Sequence, residues 1–134
     1  MKHKFLFTAT IAIFSIIMYC SCKDTITGNQ VDNVVIPNSN VSFSQYILPV
    51  FEVHCTSCHG NGTNDGGVVL TSWIGATNPG EVVKGYPDNS RLVWTIEGKP
   101  GISPMPPLDS PYKPLNTNQV NGVKTWIKEG AKNN

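Results

Sequence analysis

The sequence of 134 residues has room for one domain, and 40% of its residues are hydrophobic while 14% are charged. This balance excludes a disordered polyelectrolyte and an integral membrane protein. Ten basic residues stand against nine acidic ones, and removal of Lys2 and Lys4 with a signal segment would leave eight against nine. Because nucleic-acid binding requires clustered lysine and arginine, the charge gives no basis for such a partner.

The first residues are typical of an export signal. Lys2 and Lys4 form a basic region, and a mostly apolar run of 15 residues follows from Phe5 to Tyr19. A run of this length suits a signal peptide and is short for a transmembrane span, although an uncleaved membrane anchor is the alternative. We predict a signal peptide over residues 1–21.

Cys22 follows the small residue Ser21, and this stretch resembles a bacterial lipoprotein signal. In a lipoprotein, Cys22 becomes the lipidated first residue of an exported protein, anchored to a membrane on the periplasmic side of a bacterium. Cleavage there removes Cys20 and lipidation consumes Cys22. Of the four cysteines, one Cys-x-x-Cys pair then remains, which is too few for a disulfide framework.

A tether and one domain account for the mature chain. Residues 22–41 are polar and rich in turn-forming residues, so they predict a lipidated N-terminus and a flexible tether. A short strand at Val34 to Ile36 is the alternative. The domain follows over residues 42–131, and residues 132–134 form a C-terminal tail.

Three helices are expected in the domain. Ser42 and Gln45 have capping-box spacing at the start of "SFSQYILPVFEVHC", in which Pro49 should kink or restart the helix because it lacks a backbone N–H. The stretches "NSRLVWTIEG" and "NTNQVNGVKTWIKEGA" predict two more helices, each ended by glycine. Long loops separate them, and Val68 to Leu70 could form an extended piece. We predict an all-α domain of three to four short helices.

The last helix carries an apolar stripe of Val120, Val123 and Ile127, which Trp126 borders. A domain this small with long loops buries little apolar surface by itself. We therefore expect a bound group to complete its core.

The residues "CTSCH", Cys55 to His59, form a Cys-x-x-Cys-His motif, which in an exported protein is typical of haem c attachment. Cysteines three apart on a helical turn can reach two neighbouring vinyl groups, and His59 is then held beneath the iron. A thioredoxin-like dithiol or a zinc site are the alternatives. A helical pattern precedes the motif and no second cysteine pair follows, which disfavours both.

Met105 is the candidate for the second axial ligand of the iron. It is the only methionine beyond the signal segment and lies 46 residues after His59 in "SPMPP", where Pro104 and Pro106 favour an extended loop. His54 immediately precedes the motif on the His59 side, and we interpret it as a surface or helix-end residue. An open sixth position, a lysine ligand, or a packing role for the methionine are the alternatives.

Histidine and methionine together favour ferrous iron, and two filled axial positions leave no vacancy for oxygen or peroxide. This favours electron transfer over catalysis. Trp73, Trp94, Arg91 and Tyr112 could hydrogen-bond haem propionates, but packing or surface roles are favoured for each of them.

Most of the stretch from residue 43 to residue 131 resembles a monohaem class I cytochrome c domain, of the kind common in planctomycetes and related bacteria. The similarity lies in "ILPVFEVHCTSCHG", "GYPDNSRLVWTI", "PMPP" and "VKTWIKEGA". It implies a small cytochrome c fold with one covalent haem c at Cys55 and Cys58, and with His59 and Met105 as axial ligands. It also implies that the first and last helices cross near the haem edge.

In such a crossing, Phe51 and Trp126 would have a packing role. With the lipid anchor, the resemblance implies an exported, membrane-held carrier of single electrons that meets redox partner proteins and is not an enzyme. A haem subunit of a membrane respiratory or dehydrogenase complex is one alternative. A haem enzyme or gas sensor with an open sixth position is another.

Overall fold

The computed structural model describes residues 27–60 and 62–134, so the signal peptide over residues 1–21 and lipidation at Cys22 lie outside the described residues. Within them the chain forms short helices and no strand, with one isolated bridge between His59 and Asn64. The all-α prediction is therefore confirmed. None of the described helices is long and apolar enough to cross a membrane.

Five α-helices are present in the described part of the chain, two more than the three segments expected. They are α1 (Gly28–Asp32), α2 (Leu48–His54), α3 (Trp73–Ala76), α4 (Arg91–Ile96) and α5 (Thr117–Lys128). A π-helical turn at Phe43–Ile47 leads into α2, and 3₁₀ turns occupy Asp65–Gly67 and Pro87–Asn89. The additional helices are α1 and α3.

The first expected helix is one segment made of two kinds of turn. Ser42 caps it, because its hydroxyl accepts a hydrogen bond from the Gln45 N–H at 3.2 Å. The N–H of Leu48 donates to the carbonyl of Phe43, five residues earlier, which makes the first turn π-helical. Helix α2 then begins with Pro49 in its first turn, where a missing N–H costs little. The restart expected at the proline thus occurs one residue before it.

Ser90 precedes α4 without capping it. Its buried hydroxyl accepts from the Val83 N–H at 2.9 Å and donates to the Tyr86 carbonyl at 3.0 Å, so it closes the preceding loop. Helix α5, in contrast, begins with a complete capping box between Asn116 and Gln119.

Aromatic rings join the beginning of the first helical segment to α5. The ring of Phe43 lies 5.3 Å from the indole of Trp126 and meets Phe51 edge-on at 6.5 Å, measured between ring centroids. All three side chains are buried. Phe51 and Trp126 therefore have the packing role that the resemblance implies.

Trp126 lies within the apolar stripe of α5 instead of at its border. It is as fully buried as Val123 and Ile127, whereas Val120 is only partly buried. The indole N–H donates to the carbonyl of Lys132 at 2.9 Å. Because this bond satisfies the polar end of the ring, the whole side chain can be buried.

Residues 27–41 are packed against the domain, which corrects the flexible-tether prediction for this stretch. Val31, Ile36 and Val41 are buried in the core, and no strand forms at Val34 to Ile36. We call this segment the N-terminal strap. The folded unit therefore begins earlier than the boundary predicted at Ser42.

Two side chains of the last helical region fasten the strap by its backbone. Asn118 accepts from the N–H of Ile36 at 2.9 Å and donates to its carbonyl at 3.1 Å. The carboxylate of Glu129 accepts from the N–H groups of Asn40 and Val41 at 2.6 and 2.9 Å. The strap's polar backbone groups thereby gain partners inside the domain.

Gly122 allows the strap to approach α5 closely. A Cβ atom at this position would lie 2.7 Å from Cγ2 and 2.8 Å from Cδ1 of Ile36. Overpacking usually costs about 1–3 kcal/mol. The gain of about 1 kcal/mol in helix propensity offsets part of this cost, so we expect Gly122→Ala to lower the free energy of unfolding by up to about 2 kcal/mol. Denaturant unfolding of the full-length protein measures the difference.

Gly80→Ala is the control, because a Cβ there meets its nearest atom at an ordinary 3.6 Å. In the double variant Ile36→Ala/Gly122→Ala the smaller strap side chain accommodates the added methyl group. Its loss of stability should be less than the sum of the two single losses. Increased stability of Gly122→Ala alone would contradict this account of the strap.

Candidate functional site

The Cys-x-x-Cys-His motif continues the helical path beyond α2. The carbonyl of Cys55 accepts hydrogen bonds from the N–H groups of Cys58 at 3.1 Å and His59 at 2.9 Å. Both cysteines therefore lie on one helical turn, as attachment to neighbouring vinyl groups requires. Gly60 follows because a Cβ atom there would clash with the carbonyl oxygen of Thr56.

Both cysteines of the motif are free thiols. Burial, reinforced by the charge of an ionised Cys58, raises the pKa of Cys55 from 9.0 to about 12, so this thiol stays protonated at neutral pH. The attacking cysteine of a thioredoxin-like dithiol instead has a lowered pKa. The described residues also contain no cluster of three His, Cys, Asp or Glu side chains suited to a metal ion. The raised pKa of Cys55 thus disfavours the dithiol.

The motif lines a cleft that is partly open to solvent. Its other walls come from residues 65–70, from α4, and from the loop between Met105 and Leu115. Most of the lining is apolar and includes Val68, Leu70, Leu92, Ile96, Pro106, Pro107 and Leu115. Such a cleft suits a large apolar ligand with one edge in water.

Met105 also lines this cleft, although it is distant from the motif in the sequence. Its N–H donates to the carbonyl of Thr95 in α4 at 2.9 Å. This bond fastens the loop from Met105 to Leu115, which we call the methionine loop, to the wall of the cleft. The structure therefore brings Cys55, Cys58, His59 and Met105 to a single cleft, as the sequence analysis expects.

His59 has a ring nitrogen that the protein does not satisfy. Its Nδ1 atom is buried and has no hydrogen-bond partner among the described residues. The backbone of His59 is fixed, because its carbonyl accepts from the N–H of Leu70 at 2.8 Å. A buried ring nitrogen without a hydrogen-bond partner, at the wall of a cleft, is consistent with a histidine that contacts a group bound in that cleft.

The family model of planctomycete cytochrome C matches residues 55–109. The matched segment starts at the first cysteine of the motif and includes Met105. This chain carries a cytochrome c-like domain. No curated protein matches the chain, and no solved structure does.

The cytochrome c-like family implies haem c as the cofactor, and the residues of the cleft fit that group. Two free thiols lie three positions apart on a helical turn. An imidazole with an unsatisfied nitrogen follows them, and an apolar cleft surrounds the motif. The fold of the cytochrome c-like domain is thus suited to a group that would complete its small core.

His54 ends α2 and lines the cleft of the cytochrome c-like domain, but it is not a surface residue. Only 8% of its side chain is exposed. Its Nε2 atom lies 3.0 Å from Oδ1 of Asp32 and 3.5 Å from Nε2 of Gln119. Gln119 also donates to the same Asp32 oxygen at 2.9 Å. The helix-end interpretation is right, and the surface interpretation is wrong because the strap covers this histidine.

Trp73 and Trp94 do not line the cleft. Their indole N–H groups donate to backbone carbonyls, that of Ala131 at 2.8 Å and that of Asp88 at 2.6 Å. Both tryptophans therefore have the packing role that the sequence analysis favours over propionate binding.

Arg91 and Tyr112 do line the cleft of the cytochrome c-like domain. Arg91 lies 3.5 Å from the carboxylate of Glu81, a cleft residue that sequence reasoning missed. Glu81 is in a loop without periodicity, so no local signal marks it. The cleft thus combines an apolar interior with a charged pair.

Proposed function

We propose that this protein is an exported electron carrier with one covalently bound haem c. The observation that carries the proposal is the convergence of Cys55, Cys58, His59 and Met105 on one apolar cleft. The two thiols would add to the vinyl groups of the haem as thioethers. His59 and Met105 would be the axial ligands of the iron.

The protein side of this site is suited to holding a haem in a fixed geometry. Cys55 and Cys58 share one helical turn, and the backbone of Met105 is tied to Thr95 of α4. Because the two cysteines and the backbone of Met105 are already held in place, a change of oxidation state would require little movement of the protein. The apolar cleft and the soft thioether both favour the ferrous form and raise the reduction potential.

Electron exchange with redox partner proteins fits this site better than catalysis. Two axial side chains would leave no open position for a substrate on the iron. The cleft is partly open to solvent, so one edge of the bound group would be within reach of a partner. Redox titration of the holoprotein tests this function. One reversible one-electron transition is expected, and the absence of a reversible transition would contradict it.

A haem subunit of a membrane-bound complex is the second candidate, and the strap favours it. The described structure starts at Thr27, and α1 follows at once. If Cys22 is lipidated, five backbone steps separate it from Thr27, a reach of at most about 18 Å. Such a short connection would hold the domain close to the membrane. Co-purification of partner subunits after mild detergent extraction distinguishes a complex subunit from a free carrier.

Lipidation at Cys22 has a direct test in the cell. We expect Cys22→Ser to move the protein from the membrane fraction to the soluble periplasmic fraction, because the acyl chains provide the anchor. Cys20→Ser is the matched control and should stay in the membrane fraction, since cleavage removes that residue. Membrane association of the Cys22→Ser protein would rule out lipid as the only anchor.

A further inference from the structure

A buried histidine, a carboxylate and an amide meet beside the haem cleft, and the proposed electron transfer does not use them. Asp32 comes from the strap, His54 from the end of α2, and Gln119 from α5. The Asp32 side chain is 42% exposed, whereas that of His54 is 8% exposed. The pair therefore extends from solvent to a cleft-lining imidazole.

The hydrogen bonds of His54 indicate which nitrogen of its ring could take up a second proton. With Asp32 ionised, the Nε2–H of His54 donates to its Oδ1 atom at 3.0 Å. The Gln119 amide donates to the same oxygen at 2.9 Å and so orients the carboxylate. A second proton on the ring would be held at Nδ1, the nitrogen that does not face Asp32. Histidine is the side chain whose charge most readily changes near neutral pH.

We propose that His54 takes up a proton when the haem is reduced, so that the protein moves a proton together with its electron. This inference rests on the proposed haem function. One electron from the redox partner lowers the charge of the iron by one unit. One proton from solvent then binds the imidazole, which restores the charge of the site. Oxidation releases both.

By thermodynamic linkage, the coupling between haem reduction and protonation of His54 acts in both directions. If reduction tightens proton binding at His54, then protonation tightens electron binding by the same factor, and coupled sites in proteins typically show factors of about 5–150. The midpoint potential should therefore be highest at acidic pH and fall as pH rises while the imidazole loses its proton. The slope cannot exceed one proton per electron.

The surroundings of His54 single out Asp32 as its charged partner. Among the described residues, Asp32 is the only charged group paired with the ring, and α5 presents the neutral Gln119. Other titratable groups also line the cleft. Cys55, Cys58 and His59 directly follow His54 in the chain, whereas Asp65, Glu81 with its partner Arg91, and Tyr112 lie on other segments. Attachment would consume the two thiols, and iron would engage His59.

The test is the midpoint potential of the full-length holoprotein between about pH 5 and 8, the range in which histidine titrates. The wild-type potential should fall with rising pH, and His54→Gln should abolish this fall. Asp32→Asn should change the pH at which the potential falls, because the imidazole loses the carboxylate that accepts its Nε2–H. Glu97→Gln is the control, since this carboxylate binds Lys124 at 2.7 Å outside the cleft lining, and it should leave the curve unchanged.

A second measurement needs no variant. Reduction of the wild-type holoprotein in weakly buffered solution with a pH indicator reports the protons taken up per electron, which should peak within the same pH range. A flat wild-type potential with no proton uptake would overturn the proposal, as would an unchanged curve in a folded His54→Gln protein. Failure of the proposed function looks different, because the chain would then show no haem spectrum at all.

Discussion

Serine at both Cys55 and Cys58 is expected to leave no haem covalently attached to the protein. Thioether bonds require the two sulfur atoms, and a serine hydroxyl does not replace a thiol in this addition. The cysteines share one helical turn beside the cleft, so both are placed to bind the same macrocycle. Acid–organic extraction followed by mass measurement of the intact protein shows whether haem stays with the chain.

Each single variant should retain one thioether and yield less haem-loaded protein than the wild type. Ser57→Ala is the matched control, because this residue lies between the cysteines on the same turn and its hydroxyl approaches the Cys58 sulfur only weakly, at 3.9 Å. It should keep its haem through extraction. Covalent haem in the Cys55→Ser/Cys58→Ser protein would disprove the attachment assigned to the motif.

Met105→Ala should have the second large effect, a lower midpoint potential and an iron that binds added ligands. Loss of the thioether removes the donor that favours ferrous iron and opens one axial position. Axial ligands set haem potentials over a range of about 0.8 V, so a decrease on the order of 0.1 V or more is expected. Redox titration and the absorption change on adding carbon monoxide measure the two effects.

Leu108→Ala is the control for the methionine loop. Leu108 is 93% exposed, lies three residues beyond Met105, and does not line the cleft. This variant should keep the wild-type potential and stay closed to carbon monoxide. If Met105→Ala keeps them as well, Met105 is not the ligand. If the wild-type protein itself binds carbon monoxide readily, the open-site alternative of a haem enzyme or sensor is favoured.

The main helices and the turn that carries the Cys-x-x-Cys-His motif were predictable because their signals are local. Capping residues such as Ser42 and Asn116, and the spacing of Cys55, Cys58 and His59, can be read within a few positions of the sequence. Met105 was found by elimination, since one methionine remains beyond the signal segment. The structure then places it in the same cleft as the motif.

The strap was not predictable from local patterns, because its partners lie far away in the sequence. Ile36 pairs with Asn118 across 82 positions, and Val41 pairs with Glu129 across 88. A polar, turn-rich stretch therefore predicts a tether as long as its distant hydrogen-bond partners are unknown. The same separation concealed the burial of His54, whose partner Asp32 lies in the strap.

Short helices were missed for a different reason. Helices α1 and α3 contain five and four residues, which is too few for an apolar period to repeat. Their positions depend on packing instead, since Val31 of α1 and Ala76 of α3 are buried. Helix formation at this length depends on tertiary contacts more than on intrinsic propensity.

The absorption spectrum of the purified holoprotein in both oxidation states tests the central claim most directly. We expect one haem c per chain with six-coordinate, low-spin iron ligated by histidine and methionine in the ferric and ferrous forms. This result would show that Cys55, Cys58, His59 and Met105 form one haem site. A chain without haem after expression with the cytochrome c maturation apparatus, or a five-coordinate, high-spin iron, would contradict the claim.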